Sequence, residues 1–198
     1  MVKRDCVGYL LPLPNAFVKN ANPVSTPRLG LVAALWVLSL AGCAQRPAPR
    51  EAPAAAAAST YFTIGVDSHP LRVQLAVRDR EMERGLMGRR DLGPDDAMLF
   101  VFRSPTTLNF WMRDTPSALD VGYFGADGIL REVYPMFPFD ERPVTSRSHE
   151  LQFALEVNQG WFESHGVRGG ARIDLRSVAA ALKARGFDPV VYGLSPTP

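Results

Sequence analysis

The sequence predicts a mainly β domain of the α+β class, a compact antiparallel sandwich or barrel-like sheet with one short inserted helix and a C-terminal helix. Three observations carry this expectation. Beyond Ser59 the chain falls into short runs rich in β-branched and aromatic residues, broken about every eight to twelve positions by Gly, Pro or Asp, the rhythm of all-β architectures. Only two segments replace that rhythm with helical spacing and capping residues. No internal repeat divides the chain, so one ordinary core is expected.

The expected strands are Tyr61 to Val66, Leu71 to Val77, Met98 to Phe102, Leu108 to Arg113, Leu119 to Phe124, Ile129 to Tyr134, Leu151 to Val157 and Ala171 to Leu175. Ala126-Asp127-Gly128 supplies turn chemistry for a hairpin between the fifth and sixth, because Gly accepts positive φ. The inserted helix begins at Asp79 as cap, carries Glu81 and Glu83 where the dipole favours anions, sets Met82 and Leu86 on one face, and ends at Gly88. The C-terminal helix runs from Ser177, as cap, to Arg185, with Val178, Ala181 and Leu182 as its apolar side and Gly186 as stop. Phe187 to Pro198 reads as a loose tail.

The N-terminal third has a different character. Leu29 to Leu40 is an apolar run preceded by Arg28 and closed by Leu40-Ala41-Gly42-Cys43, and it is too short to span a bilayer as a helix. This stretch resembles a bacterial lipoprotein lipobox. The resemblance implies a signal peptide over 1–42, cleavage before Cys43 and lipidation of the Cys43 thiol, with more than one acyl chain giving stable attachment to a membrane. Ala44, rather than Asp, after the cysteine implies the outer membrane in a cell that has two, facing the periplasm. The long stretch from Met1 to Pro27 reads as an upstream extension, with a true start expected near Val18 or Val24, or as a genuine extension. Residues 43–59, with the run QRPAPREAPAAAAA, form a spacer too poor in large apolar residues to order itself. Residues 60–176 form the folded domain, followed by helix and tail over 177–198.

Removing residues 1–43 takes four of the 22 basic residues and one of the 20 acidic ones, leaving 18 against 19. The mature chain is therefore nearly neutral, and its lack of a long basic run argues against nucleic acid as partner. On that resemblance Cys6 would fall in the discarded segment and Cys43 would be consumed by lipid. An exported domain without thiols excludes disulfides, a cysteine nucleophile and thiolate metal sites.

Four blocks then stand out: Arg84-Gly85-Leu86-Met87-Gly88-Arg89; Met98-Leu99-Phe100-Val101-Phe102; Phe110-Trp111-Met112-Arg113-Asp114-Thr115 with Leu119-Asp120; and Leu155-Glu156-Val157-Asn158 with Gly160. Their order and spacing over roughly Leu71 to Leu175 are similar to the domain-of-unknown-function 192 family. That resemblance implies a compact, mainly β domain with a short helix, often exported in bacteria, and no established activity. The chain departs from the family pattern at Ala97 for Gly, Asp114 for Asn, Ala118 for Pro, and Gly170-Ala171 for Gly-Asp.

Alternation along Leu108 to Arg113 sends Leu108, Phe110 and Met112 to the core and Asn109, Trp111 and Arg113 to the other side. An indole beside an arginine is a stacking platform for a sugar or peptide, unless the Tyr134 to Pro143 loop covers it. That loop, with Tyr134, Phe137 and two prolines, is either a rigid apolar lip beside Trp111 or a lid on the core. Asp120 and Glu156 each project opposite to their apolar neighbours. If they share a cleft, two carboxylates of split pKa suit acid and base work on a glycosidic bond. Otherwise each pairs with Arg84, Arg89 or Arg113, or accepts backbone N–H bonds that pin a loop. Asp114-Thr115-Pro116 reads as a turn. His69, His149 and His165 lie far apart in sequence, so no metal site and no cofactor is expected. Binding rather than catalysis is the expected role, with Trp111, Arg113, Arg84, Asp120, Glu156, Tyr134 and Phe137 as binding candidates, Asp120 and Glu156 as the only catalytic ones, and an envelope glycan, a protein or the membrane as partner. A purely structural envelope role is the remaining alternative.

Overall fold

The computed structural model describes residues 56–195. The expected signal peptide, Cys43 and the expected spacer up to residue 55 lie outside the described residues. Eight strands, β1 (Tyr61–Val66), β2 (His69–Ala76), β3 (Asp96–Thr106), β4 (Asn109–Phe110), β5 (Leu119–Gly125), β6 (Leu130–Met136), β7 (Val144–Thr145) and β8 (Leu151–Asn158), combine with helices α1 (Asp79–Arg84), α2 (Trp161–Ser164) and α3 (Leu175–Ala184). A short 3₁₀ turn, Pro189–Tyr192, follows.

Six strands make one sheet in the order β1-β2-β3-β8-β5-β6, and β4 pairs with β7 in a small second sheet. The large sheet stays open rather than closing into a barrel. It is mixed, because β2 and β3 run parallel; such a pair needs a crossover, which the segment containing α1 provides. Every other pairing in it is antiparallel.

Each face of the sheet buries its own core. On one face Val73, Leu99, Leu155, Val157 and Phe124 meet Trp161, Phe162, Val178 and Leu182 from α2 and α3. On the other, Phe100, Val121, Tyr123 and Ala154 meet Met82, Leu86, Leu108, Phe110 and Met112. The two-residue period of the strands lets β3, β5 and β8 contribute to both clusters. Gly122 belongs to the first face, where Phe162 lies so close that a β-carbon on Gly122 would stand 2.5 Å from Cζ.

Several boundaries differ from expectation, for local reasons. The Leu108 to Arg113 strand shrinks to Asn109–Phe110 because the chain turns away: the Met112 N–H donates to Asp140 O at 2.8 Å, and Asp114 takes φ 53. Ala171 to Leu175 forms only the isolated bridges Val66↔Ile173 and Ile129↔Arg172. Asp174 ends that segment by capping α3, accepting from Arg176 N at 3.0 Å and from Ser177 Oγ at 2.6 Å, so Asp174 and not Ser177 starts the helix. α1 stops at Arg84, where Gly85 takes φ 46, short of Gly88. Its N-terminus is held by Glu81, whose Oε2 accepts from Val77 N and Arg78 N at 3.0 and 3.1 Å. The expected loose tail is instead packed through residue 194. Tyr192 and Leu194 are buried, and Gln152 Nε2 donates to Tyr192 O at 2.6 Å.

Candidate functional site

Three loops converge over the second face of the sheet. The Arg84–Arg89 turn is tied to the Met112–Ser117 turn, since Gly88 N–H donates to Asp114 O at 2.8 Å and Ser117 Oγ donates to Arg89 O at 2.9 Å. The loop after β6 lies alongside, its Phe139 N–H donating to Thr115 O at 3.1 Å. Asp140 and Arg142 close it with paired hydrogen bonds, which hold the Asp140 carboxyl down to about 2. Asp114 suits its place here because Asp tolerates left-handed backbone better than most residues.

Alternation through Met112 is as the sequence implied: Leu108, Phe110 and Met112 are buried, and Asn109, Trp111 and Arg113 are half-buried. The Arg113 guanidinium stands 5.0 Å from the Trp111 ring centre, a cation–π distance. The Trp111 indole N–H is buried and has no acceptor among the described residues. The neighbouring loop does not cover the core with its own aromatics: Phe137 and Phe139 are 56% and 58% exposed, and Phe139 holds φ 61. The lip, not the lid, describes this segment. Tyr134 stands apart from the lip. It is half-buried against the second core cluster and donates to Glu132 Oε2 at 2.6 Å, a bond that raises its pKa.

The two acids are separated by the sheet. β5 pairs with β8 so that Asp120 faces Val157 and Val121 faces Glu156. Directly paired residues share a face and adjacent ones do not, so the carboxyls project from opposite sides. The shared cleft that glycosidic chemistry would need is absent. Asp120 accepts from Gly160 N at 2.8 Å and so pins the turn into α2. Burial raises its pKa, more than the Gly160 bond lowers it, and the Glu163 charge adds to the rise.

Glu156 is 4% exposed, with Met98 and Val121 as its cross-strand neighbours. Its Oε2 has no hydrogen-bond partner among the described residues, and burial pushes the carboxyl up to about 7. Arg89 pairs with Asp91, and Arg113 stands 3.9 Å from Asp114. The Arg84–Arg89 turn and β2 enclose a cleft of about 340 Å³, lined by Ser59, Gln74, Arg84, Gly85, Arg89 and Met98 among others. Arg89 is occupied there by Gln74 Oε1 and Tyr61 OH, both at 2.9 Å, and by Asp91. Arg84 is exposed at the rim.

Sequence spacing gave no hint of a second cluster on the opposite face. His69 and His165, almost a hundred positions apart, bring their rings to 5.2 Å. Trp161 stacks on His165 at 4.5 Å and donates to Asp95 Oδ1 at 3.1 Å. The residues come from the start of β2, the segment before β3, and α2 with its C-cap. No group of three or more metal-binding side chains occurs among the described residues, and no described helix is long and apolar enough to cross a membrane.

Among the described residues, the chain forms a compact domain built on an open mixed sheet, with a loop-built candidate surface and with Asp120 and Glu156 on opposite faces. The chain belongs to the DUF192 family, described as Uncharacterized ACR, COG1430, whose model matches residues 62–175. Two crystal structures are similar. One is a protein from Sinorhizobium meliloti 1021 named as a candidate transcription regulator, 32% identical, covering 58% of this chain and 92% of its own, with a TM-score of 0.56. The other is a protein of unknown function from Novosphingobium aromaticivorans DSM 12444, 30% identical, covering 63% of this chain and 94% of its own, with the same TM-score of 0.56. No curated protein matches.

Proposed function

We propose that this protein is a lipid-anchored binding module of the bacterial cell envelope, held by Cys43 and gripping an envelope glycan, peptidoglycan fragment or protein through Trp111, Arg113, Phe137 and Phe139. One observation carries the reading: two phenylalanines more than half exposed on a loop whose backbone is bonded along Met112 to Thr115. Exposed aromatics on a rigid loop lose little entropy on binding and offer flat apolar area. Phe139 also holds left-handed backbone, a strain that persists where surrounding bonds over-determine it and that clusters at functional sites. Hydrolysis by Asp120 and Glu156 fits less well, because their register sends them to opposite faces. A DNA-binding role, which the name of the Sinorhizobium relative suggests, is disfavoured by 18 basic against 19 acidic residues after Cys43, since such proteins concentrate positive charge.

The test is thermal shift and tryptophan fluorescence on the full-length chain in detergent micelles against muropeptides, glycans and short peptides. Saturable stabilisation that Trp111→Ala and Phe137→Ser both remove supports the reading, through the linkage of binding to folding. Binding that survives both substitutions moves the site elsewhere, and no response to the whole series favours a structural role. Labelled palmitate incorporated into the wild type but not into Cys43→Ala tests the anchor.

A further inference from the structure

We propose that the corner formed by α3 and the Pro189–Tyr192 turn is a membrane-docking surface for anionic phospholipid, an inference that rests on the lipid anchor at Cys43 proposed above. The place where the chain from Cys43 joins the fold points there. Ala56 donates its N–H to the carbonyl of Ala184 at 2.7 Å, and Ala184 is the last residue of α3. Residues 44–55 lie between this bond and Cys43. A flexible chain of that length spans about 20 Å on average, whereas a domain of this size measures roughly 35 to 40 Å across. A lipid on Cys43 therefore keeps the α3 end of the domain nearest the bilayer.

That end carries apolar surface. Val190 and Val191, consecutive in the turn, are 58% and 51% exposed. Beside them Ala179, Ala180, Phe187 and Pro189 line a hollow of about 580 Å³ that Val190 also borders. The turn is held from both ends: Asp188 Oδ1 accepts from Val190 N at 3.0 Å, and Tyr192 and Leu194 are buried. Both valines are thus presented to solvent on a fixed backbone. Apolar side chains of this kind, set beside basic ones, are what a surface-lying segment buries at the boundary between headgroups and acyl chains.

Charge supplies the second argument. Arg176 and Lys183 line the same hollow, with Asp188. Arg78 and Arg103 line the adjoining one, which shares Phe187, with Asp79. Arg176 also meets Asp174 at 3.6 Å and Arg78 meets Glu81 at 3.0 Å, whereas Lys183 stands exposed in the last turn of α3, beside the carbonyl that Ala56 reaches. Among the lining residues basic groups outnumber acidic ones, in a chain that is nearly neutral after Cys43. A basic rim around apolar side chains complements anionic headgroups. Each contact is weak alone, but a short tether holds the local concentration at about millimolar, so weak contacts suffice. Because α3 packs on the first face of the sheet and Phe110 and Met112 on the second, docking leaves the Trp111 surface free for its own ligand.

The test uses the full-length chain reconstituted into vesicles of phosphatidylethanolamine and phosphatidylglycerol that carry a nitroxide-labelled lipid as quencher. A fluorophore sits on Val190→Cys or, as the control, on Phe137→Cys, each in a Cys6→Ser background. Quenching at Val190→Cys is expected to exceed that at Phe137→Cys about twofold or more, and to fall by about half in Lys183→Glu or in vesicles of phosphatidylcholine alone. Labelled palmitate in the same samples separates two failures. A chain that takes up no palmitate loses the anchor and this surface with it. Palmitate incorporated while the Val190→Cys label is quenched no more than the Phe137→Cys label overturns the docking surface alone. Quenching that neither Lys183→Glu nor phosphatidylcholine reduces overturns the anionic partner.

Discussion

Asp120 and Glu156 sit one register step apart on neighbouring strands and point away from each other through the sheet, one toward α2 and the other toward Gly85. Nothing couples them except the backbone between. The stability changes of Asp120→Asn and Glu156→Gln are therefore expected to add within about 0.5 kcal/mol in the double variant, as for sites without shared partners. Urea unfolding of the four proteins measures this. A coupling of a kilocalorie or more would mean that the carboxyls sense one another as a pair does.

Glu156 predicts a pH dependence. Its carboxyl titrates about 7 in the folded chain against an ordinary 4.5, because burial disfavours the charged form. Between those values the folded state keeps a proton that the unfolded chain has lost, so stability falls as pH rises through that window and levels off above it. At 1.36 kcal/mol per unit the loss is about 3 kcal/mol. Glu156→Gln should remove this slope and be more stable than wild type at pH 8, with little difference at pH 4.5. Denaturant midpoints at the two pH values check it, and a wild-type slope that persists in the variant assigns the titration to another group.

How far the sequence reveals this arrangement depends on the range of the signal. Strands β1, β5 and β8 and the Gly128 turn come from period-two patterning and local turn chemistry, which depend on adjacent residues only. The alternation of Phe110, Trp111 and Met112 is readable for the same reason. Misplaced boundaries come from competing caps: Asp174 and Ser177 both suit a helix start, and only the pairing of Ile173 with Val66 decides between them. The packed tail was illegible because Pro189 to Leu194 has no regular period and is ordered by Gln152, a distant residue. For the site, sequence selects Asp120 and Glu156 as unusual, yet whether they share a face depends on β5–β8 register. Gly85 over Glu156 is likewise a tertiary contact, with its only trace the short Arg84-Gly85-Leu86-Met87 block.

Arg185 and Glu81 form the pair that fastens α3 to α1, with the arginine side chain wholly buried and 2.6 Å between Nη2 and Oε1. Burial by itself would raise Glu81, yet donation from Val77 N–H, Arg78 N–H and the Arg78 side chain, with the Arg185 charge, lowers it. Its contribution is thus present above the ordinary carboxylate range and lost as pH falls through it. Glu81→Gln strands a buried cation and should cost about 3 kcal/mol, whereas Arg185→Met, which removes the charge, should cost less, and the double variant should recover part of the loss. Equal losses in the two single variants would contradict this order.

Gly122→Ala tests the contact between sheet and α2. The added carbon would meet Phe162 Cζ at 2.5 Å and Leu130 Cδ1 at 3.1 Å, with no backbone strain involved, so overpacking of about 1 to 3 kcal/mol is expected. Phe162→Leu in the same chain should return part of it, because the shorter side chain vacates the clash. Thermal melts of the single and double variants decide, and additive losses would place the clash elsewhere.

Phe139 separates the stability of the lip from its binding role. At φ 61 a phenylalanine sits in backbone that costs an ordinary residue roughly 1 to 2 kcal/mol and that asparagine enters more easily. Phe139 N–H would still donate to Thr115 O after substitution, and the ring, 58% exposed, contributes little burial. Phe139→Asn is therefore expected to stabilise the domain by about 0.5 to 1 kcal/mol while weakening any ligand that thermal shift has placed on the Trp111 surface. Phe137→Asn, at a residue without positive φ, should weaken the same ligand with no gain in stability. If Phe139→Asn melts below the wild type, the ring is packed rather than presented, and the lip loses its role as a binding edge.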